Sequence, residues 1–160
     1  MLRLSRMADY GIVLLVQFVQ DESGSARSAA ELAEATGISV PTVSKCLKVL
    51  AKAGILESQR GVKGGYLLAR PATKVSLAEA IRALDGPISL TVCCQRDEDA
   101  ECKCELQEGC IVKVNWRKIN SALEQALASV PLSEMANPNS EVVPSPSGNP
   151  LSRRASEVRL

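Results

Sequence analysis

Two capped helical segments joined by a short glycine turn and followed at once by a basic, glycine-rich hairpin constrain this chain more than any other feature. In "GSARSAAELAEATG", Ser28 stands three residues before Glu31, the spacing of a capping box, and Gly37 suits the C-terminal cap of a helix over about 29–36. After "TGIS" comes "VPTVSKCLKVLAKAG", where Pro41 is tolerated in a first turn and Gly54 closes the segment. Val40, Val43, Leu47 and Leu50 share one face of that helix, whereas Thr42, Lys45, Lys48 and Lys52 lie off it. Helix, tight turn and helix with a lysine stripe is a helix-turn-helix pattern, although a plain helical hairpin with a solvated face has the same spacing. The next segment, "ILESQRGVKGGYLLARP", decides between them. It is two short apolar-rich runs around a glycine-rich basic turn, a two-stranded wing whose tip carries Arg60 and Lys63. A "GVKGG" phosphate loop is excluded, because the Walker spacing is missing and a strand follows where a helix is needed.

The charge distribution agrees with a DNA-binding head. Net charge is only +1, yet 44–74 holds seven Lys/Arg against the single Glu57. Thr91–Cys110 has six Asp/Glu against Arg96 and Lys103, so one face attracts polyanions and the other repels them. Ser39, Thr42, Ser44 and Lys45, near the start of the second helix, are the candidates for base edges; Lys48 and Lys52 suit phosphates, and Arg60 with Lys63 a phosphate or narrow minor groove.

With 160 residues and four aromatic side chains, the core must come from Leu, Val, Ile and Ala, and the fold is expected to be mostly α. A largely buried helix is expected over 5–20. A second capping box, Ser76 with Glu79, opens "LAEAIRALDG". Further on, Val112, Trp116, Ile119, Leu123, Ala126 and Val130 alternate at spacings of four and three, an apolar seam read as a long dimerisation helix. From Pro131 onward Pro, Ser and Asn displace periodic apolar residues, and 133–160 is expected to be a disordered tail. The organisation is therefore a winged helix-turn-helix over 1–73, a cysteine loop with dimerisation helix over 74–132, and the tail. The early apolar run is punctuated by Asp9, Gln17 and Gln20 and lacks a small-residue cleavage site, so a cytoplasmic protein without membrane contact is expected.

"LTVCCQRDEDAECKCELQEGC" holds five of the six cysteines: Cys93, Cys94, Cys102, Cys104 and Cys110. Cys46 lies beside the apolar face of the second helix and reads as a small core residue. There is no histidine, which removes the commonest general base and metal ligand and with them serine-protease-like and Cys-His chemistry; no enzyme and no small-molecule substrate are expected. An odd count and a cytoplasmic setting disfavour fixed disulfides. An iron-sulfur cluster, a zinc site and a thiol-disulfide sensor all stay open for a DNA-binding regulator, and the alternative of another class is a small redox or electron-transfer iron-sulfur protein. Six carboxylates disfavour a bare thiolate unless a bound metal supplies compensating positive charge, which tilts the balance to metal.

With "MLRLSRMADYGI", "AAELAEATGISVPTVSKCLKVLAKAGILES", "RGVKGGYLLAR" and "CELQEGCIVKVNWRKIN" in place, the chain over about 1–135 resembles the iron-sulfur cluster-binding winged-helix transcription regulators of the IscR type. It is closest to the branch that regulates SUF-system iron-sulfur assembly. That resemblance implies a homodimeric repressor on an operator in duplex DNA, carrying a [2Fe-2S] or [4Fe-4S] cluster. It also implies three ligands: Cys93, which follows "LTV", and the C-x5-C pair Cys104 and Cys110 before "NWR". Cys94 and Cys102 are additional thiols able to substitute for a neighbour. Where some members have a histidine three residues after the last cysteine, this chain has Lys113; others have an acidic residue in the first helix, and Asp9 occupies the corresponding place, so the resemblance implies Asp9 of the same or the partner subunit as the fourth ligand.

Overall fold

The computed structural model describes residues 3–21, 23–61, 64–94, 104 and 109–137, without the side chain of Cys93. Helix α1 (Arg6–Gln20) leads into α2 (Ala29–Thr36) and α3 (Val40–Lys52); strands β1 (Leu56–Gln59) and β2 (Gly65–Leu68) follow. Then come α4 (Leu77–Asp85), a 3-10 turn at Val92–Cys94, α5 (Lys113–Ala128) and the one-turn α6 (Leu132–Met135). The mostly helical winged helix-turn-helix expected from the sequence is the fold observed.

Local chemistry starts and stops these elements. Ser5 caps α1, its hydroxyl accepting from the Met7 and Ala8 amides at 3.1 Å each, and it also donates to the Asp85 carboxylate at the far end of α4. Both capping boxes close as the sequence predicts, Ser28 with Glu31 and Ser76 with Glu79. Gly37 takes φ +70° to end α2, which turns the chain sharply into α3.

Ala8, Leu14, Leu15, Leu32, Val43, Leu47, Leu50, Ile55 and Val75 form the centre of the core, gathering α1, α2, α3 and the start of β1. Gly11 lets α1 and α4 approach closely, since a Cβ there would sit 2.4 Å from Leu84 Cδ1. Strands β1 and β2 are antiparallel in the register Leu56–Leu68 to Gln59–Gly65. Tyr66 also exchanges both backbone hydrogen bonds with Arg27, at 2.8 and 2.9 Å, so the wing is stitched to the residue before the α2 cap.

Two expectations change. Val40 is exposed, and Cys46 fills the core-facing position with no solvent access; a helical period assigns a face but not where the core ends along it. Residues 133–137 are also structured. Leu132 is fully buried and its amide donates to the Val75 carbonyl at 2.8 Å, while Leu77 donates to Val130 at 2.9 Å, so the chain returns across the head after α5. The remainder of the expected tail, 138–160, lies outside the described residues.

Candidate functional site

Helix α3 divides by face. Val43, Cys46, Leu47 and Leu50 are buried, and Pro41, Lys45, Lys48 and Lys52 are exposed on the opposite side. At about 100° per residue the three lysines fall within an arc of about 60°, centred away from the core. Ser39 and Thr42 join hydroxyls at 2.9 Å across the first turn. That bond substitutes for a side-chain cap, leaves the first amides of α3 facing outward and fixes the two hydroxyls beside Lys45. Ser44 is half-buried at one margin of the stripe. Arg60 is exposed where β1 ends, next to Gly61, whose φ of +125° suits glycine and swings the wing outward. Lys63 lies outside the described residues.

Two arginines near the wing are already paired. Arg70 binds Glu79 at 2.8 Å and donates to the Lys74 carbonyl at 3.3 Å. The Ser76 amide and the Arg70 guanidinium hold the Glu79 carboxyl below the usual carboxylate range. Arg27 bonds to the Gln17 carbonyl at 3.4 Å and faces Asp21 at 4.0 Å. Among the described residues, the α3 stripe, Arg60 and the exposed Lys74 thus remain as solvent-facing cations of the basic region.

One flank of this surface was not apparent in the sequence. A cleft of about 660 Å³ runs between the start of α1 and the helix-turn-helix, with Arg6 and Tyr10 on one wall and Ser39, Thr42 and Lys45 on the other. Arg6 belongs to the same face as the lysines. Its signal was its place one residue after the Ser5 cap, but only the packing of α1 on α3 brings it there.

The cysteine segment begins where α4 ends at Gly86. Cys94 is buried, with the Thr91 hydroxyl 3.3 Å from its sulfur, in the turn that packs on α5. Cys104 and Cys110 are half-buried free thiols. The α5 helix starts at Lys113, whose amide donates to the Cys110 carbonyl at 3.3 Å. Asp9 is exposed in the first turn of α1. Cys102 and the side chain of Cys93 lie outside the described residues. Among the described residues no three Cys, Asp or Glu side chains converge as metal ligands. The donor chemistry of the segment nevertheless fits an iron-sulfur cluster, because free thiols are what such a group needs. Cys46 is different. Its sulfur points to the Met7 carbonyl at 3.8 Å, and burial pushes its thiol pKa up, as for an inert core residue.

The expected seam along α5 divides in two. Val112, Trp116 and Ile119 are exposed, Ile119 by 52 %, together with Ile111 at 93 % and Val114. Leu123 and Val130 are half-buried against the chain's own head, Ala126 is exposed, and Arg82 reaches Glu124 at 3.6 Å between α4 and α5. Asn120, on neither list, is the buried residue of α5.

Comparison with known proteins matches this arrangement. The family described as Rrf2, iron-dependent transcriptional regulator, matches residues 4–138. The HTH-type transcriptional regulator IscR of Photorhabdus laumondii is 28% identical over 142 residues, which covers 89% of this chain and 83% of that protein. The structure of CymR, the global cysteine regulator of B. subtilis, superimposes with a TM-score of 0.66 at 26% identity, over 85% of this chain and 97% of that one. That of T. potens IscR does so with a TM-score of 0.62 at 28% identity, over 84% and 85%. Among the described residues no helix is long and apolar enough to cross a membrane. These relatives are regulators of transcription, not enzymes, and the chain belongs to the Rrf2 family of transcriptional regulators.

Proposed function

We propose that this chain is a homodimeric cytoplasmic repressor of iron-sulfur assembly genes whose affinity for its operator depends on an iron-sulfur cluster. What carries the DNA-binding half is the face of α3: three exposed lysines opposite four buried residues, with hydroxyls at its start and Arg60 at the wing. Lys45, Ser39, Thr42 and Ser44 meet base edges in the major groove, Lys48 and Lys52 bind phosphates, and Arg60 enters the minor groove, with Lys63 beside it. The exposed apolar run Ile111–Ile119 is covered in the dimer by the second copy, because a solvent-facing stripe of Val, Trp and Ile on a long helix is costly unless paired. Two heads on a shared helix pair read two half-sites, and the set of α5 relative to each head determines their spacing.

Cys93, Cys104 and Cys110 are the thiolate ligands, with Asp9 of the same or the partner subunit as the fourth; Cys94 and Cys102 are alternates. The bound group supplies a charge and a cross-link that exist only while iron and sulfide are available. The residues of the chain do the rest: the loop joins α4 to α5, so its closure fixes how α5 leaves the head. Support comes from the named relatives, described as an iron-dependent regulator family and as IscR.

The likeness to the B. subtilis cysteine regulator favours a second reading of the same site, in which the loop thiols sense redox state or bind zinc. Anaerobic purification followed by iron, sulfide and zinc analysis and an absorption spectrum separates the two. Iron with equimolar acid-labile sulfide supports the first reading, and the spectrum assigns [2Fe-2S] or [4Fe-4S]; zinc alone, or neither metal, supports the second. Asp9→Ala should shorten the lifetime of the bound cluster, and an unchanged lifetime would remove Asp9 from the ligand set.

A further inference from the structure

The side chain of Asn120 is the buried polar group among the described residues, with 7 % exposure at the middle of α5. Its Oδ1 accepts from the Leu90 amide at 2.9 Å and its Nδ2 donates to the Ile88 carbonyl at 3.0 Å. Those partners lie 30 and 32 residues earlier, in the strip that leads from α4 into Thr91–Cys94. One amide therefore clasps both sides of Ser89 and fixes the backbone of the cysteine segment against the helix. A flexible strip joined to α5 by apolar contacts alone slides, because such contacts are non-directional. Two hydrogen bonds from a planar amide set one register. Just beyond the strip, Cys94 is buried in the 3-10 turn that packs on the same helix, so Asn120 and Cys94 hold the two ends of Leu90–Cys94 to α5.

We infer that Asn120 is a positioning residue that conveys the state of the cysteine loop to α5 and so to the angle between the two DNA-binding heads. The inference rests on the sensor reading above but not on which group the loop holds. A change of state at the loop thiols reaches Ile88–Leu90 through Thr91–Cys94, and the clasp turns it into movement of α5 as a unit. Without the clasp the loop still carries its thiols and the head still carries its lysines, but the two act independently.

The test compares wild type with Asn120→Ala as full-length chains. Operator binding is measured by fluorescence anisotropy for protein purified anaerobically, and again after a chelator has removed metal and N-ethylmaleimide has blocked the loop thiols. Cys46 has no solvent access, so the reagent acts on the loop. Wild type should change its affinity by about tenfold or more between the two states, in the range usual for coupled sites. Asn120→Ala should keep its iron content and its salt-dependent DNA binding while the ratio falls to within about twofold. Exchange of the Leu90 amide should also accelerate in the variant. A ratio in Asn120→Ala equal to that of wild type overturns the inference, as does loss of metal together with the response, which would make Asn120 part of the site. If Asn120→Ala does not fold, Asn120→Asp keeps the acceptor for Leu90 and removes the donor to Ile88, and the same ratio decides. A wild type that responds but contains no iron or sulfide refutes the cluster and leaves the clasp standing; one that does not respond refutes both.

Discussion

Replacing Lys48 by alanine gives a quantitative test of which surface meets DNA. Lys48 is exposed at the centre of the α3 stripe, opposite Leu47 and Leu50 in the core, so its loss leaves packing untouched and changes stability little. Each phosphate neutralised on duplex DNA releases counterions and contributes about 0.9 to the log-log salt slope. In a dimer, Lys48 and Lys52 of both subunits together account for a slope of about −3.6, and Lys48→Ala removes about 1.8 of it. Referred to 1 M salt, where this contribution vanishes, the expected loss at 0.1 M is about 60-fold. The assay is anisotropy titration of a labelled duplex from the protein's own promoter region at five salt concentrations, repeated with an unrelated duplex. Because a phosphate contact carries no sequence information, both duplexes should lose the same slope. A slope that stays within about 0.3 of wild type would show that α3 does not lie along the phosphates and would refute the assignment of the DNA face.

Other outcomes follow from the same geometry. Arg60→Ala should weaken binding at A·T-rich flanks more than elsewhere, checked by comparing operators with A·T and G·C flanks; equal losses would take Arg60 out of the minor groove. Leu132→Ala should cost about 2–5 kcal/mol in urea unfolding, because Leu132 is fully buried where the chain returns to the head; a loss below about 0.5 kcal/mol would show that this return adds nothing to the core. Ser76→Ala should cost about 1 kcal/mol by removing the α4 cap. Glu79, whose carboxyl is held low by the Ser76 amide and Arg70, adds stability that is complete above the ordinary glutamate pKa and is lost as pH falls below it. Acid unfolding of Glu79→Gln should accordingly be less steep than that of wild type over pH 5 to 3. For Cys46, whose folded pKa lies above its unfolded one, the contribution is complete below about pH 9 and declines above it, and its labelling by thiol reagents should wait for unfolding.

The parts that could be read from the sequence are those whose causes are local. Ser28 with Glu31 and Ser76 with Glu79 are complete signals within four residues, and Gly37 and Gly61 take the positive φ that glycine suits. Val40 misled because a helical period continues past the edge of the core, where the first turn of α3 projects into solvent. The structure at Leu132 depends on Val75, which is distant in sequence, and one helical turn leaves no periodic trace. Asn120 was hidden for the same reason. An amide beside an apolar seam reads as a solvated position until its partners, Ile88 and Leu90, are seen to arrive from across the fold. Ligation by the cysteine segment is non-local in the same sense: spacing supplies thiols, and folding decides which of them meet.

In the proposed function each state of the cysteine loop has its own DNA affinity. The decisive measurement takes a single anaerobic preparation and determines its iron and acid-labile sulfide per chain and its operator affinity before and after the metal is removed. A cluster-dependent regulator should contain iron and sulfide in equal amounts and change its affinity by about tenfold or more on their removal. A preparation without them, or one whose affinity is the same in both states, would contradict it.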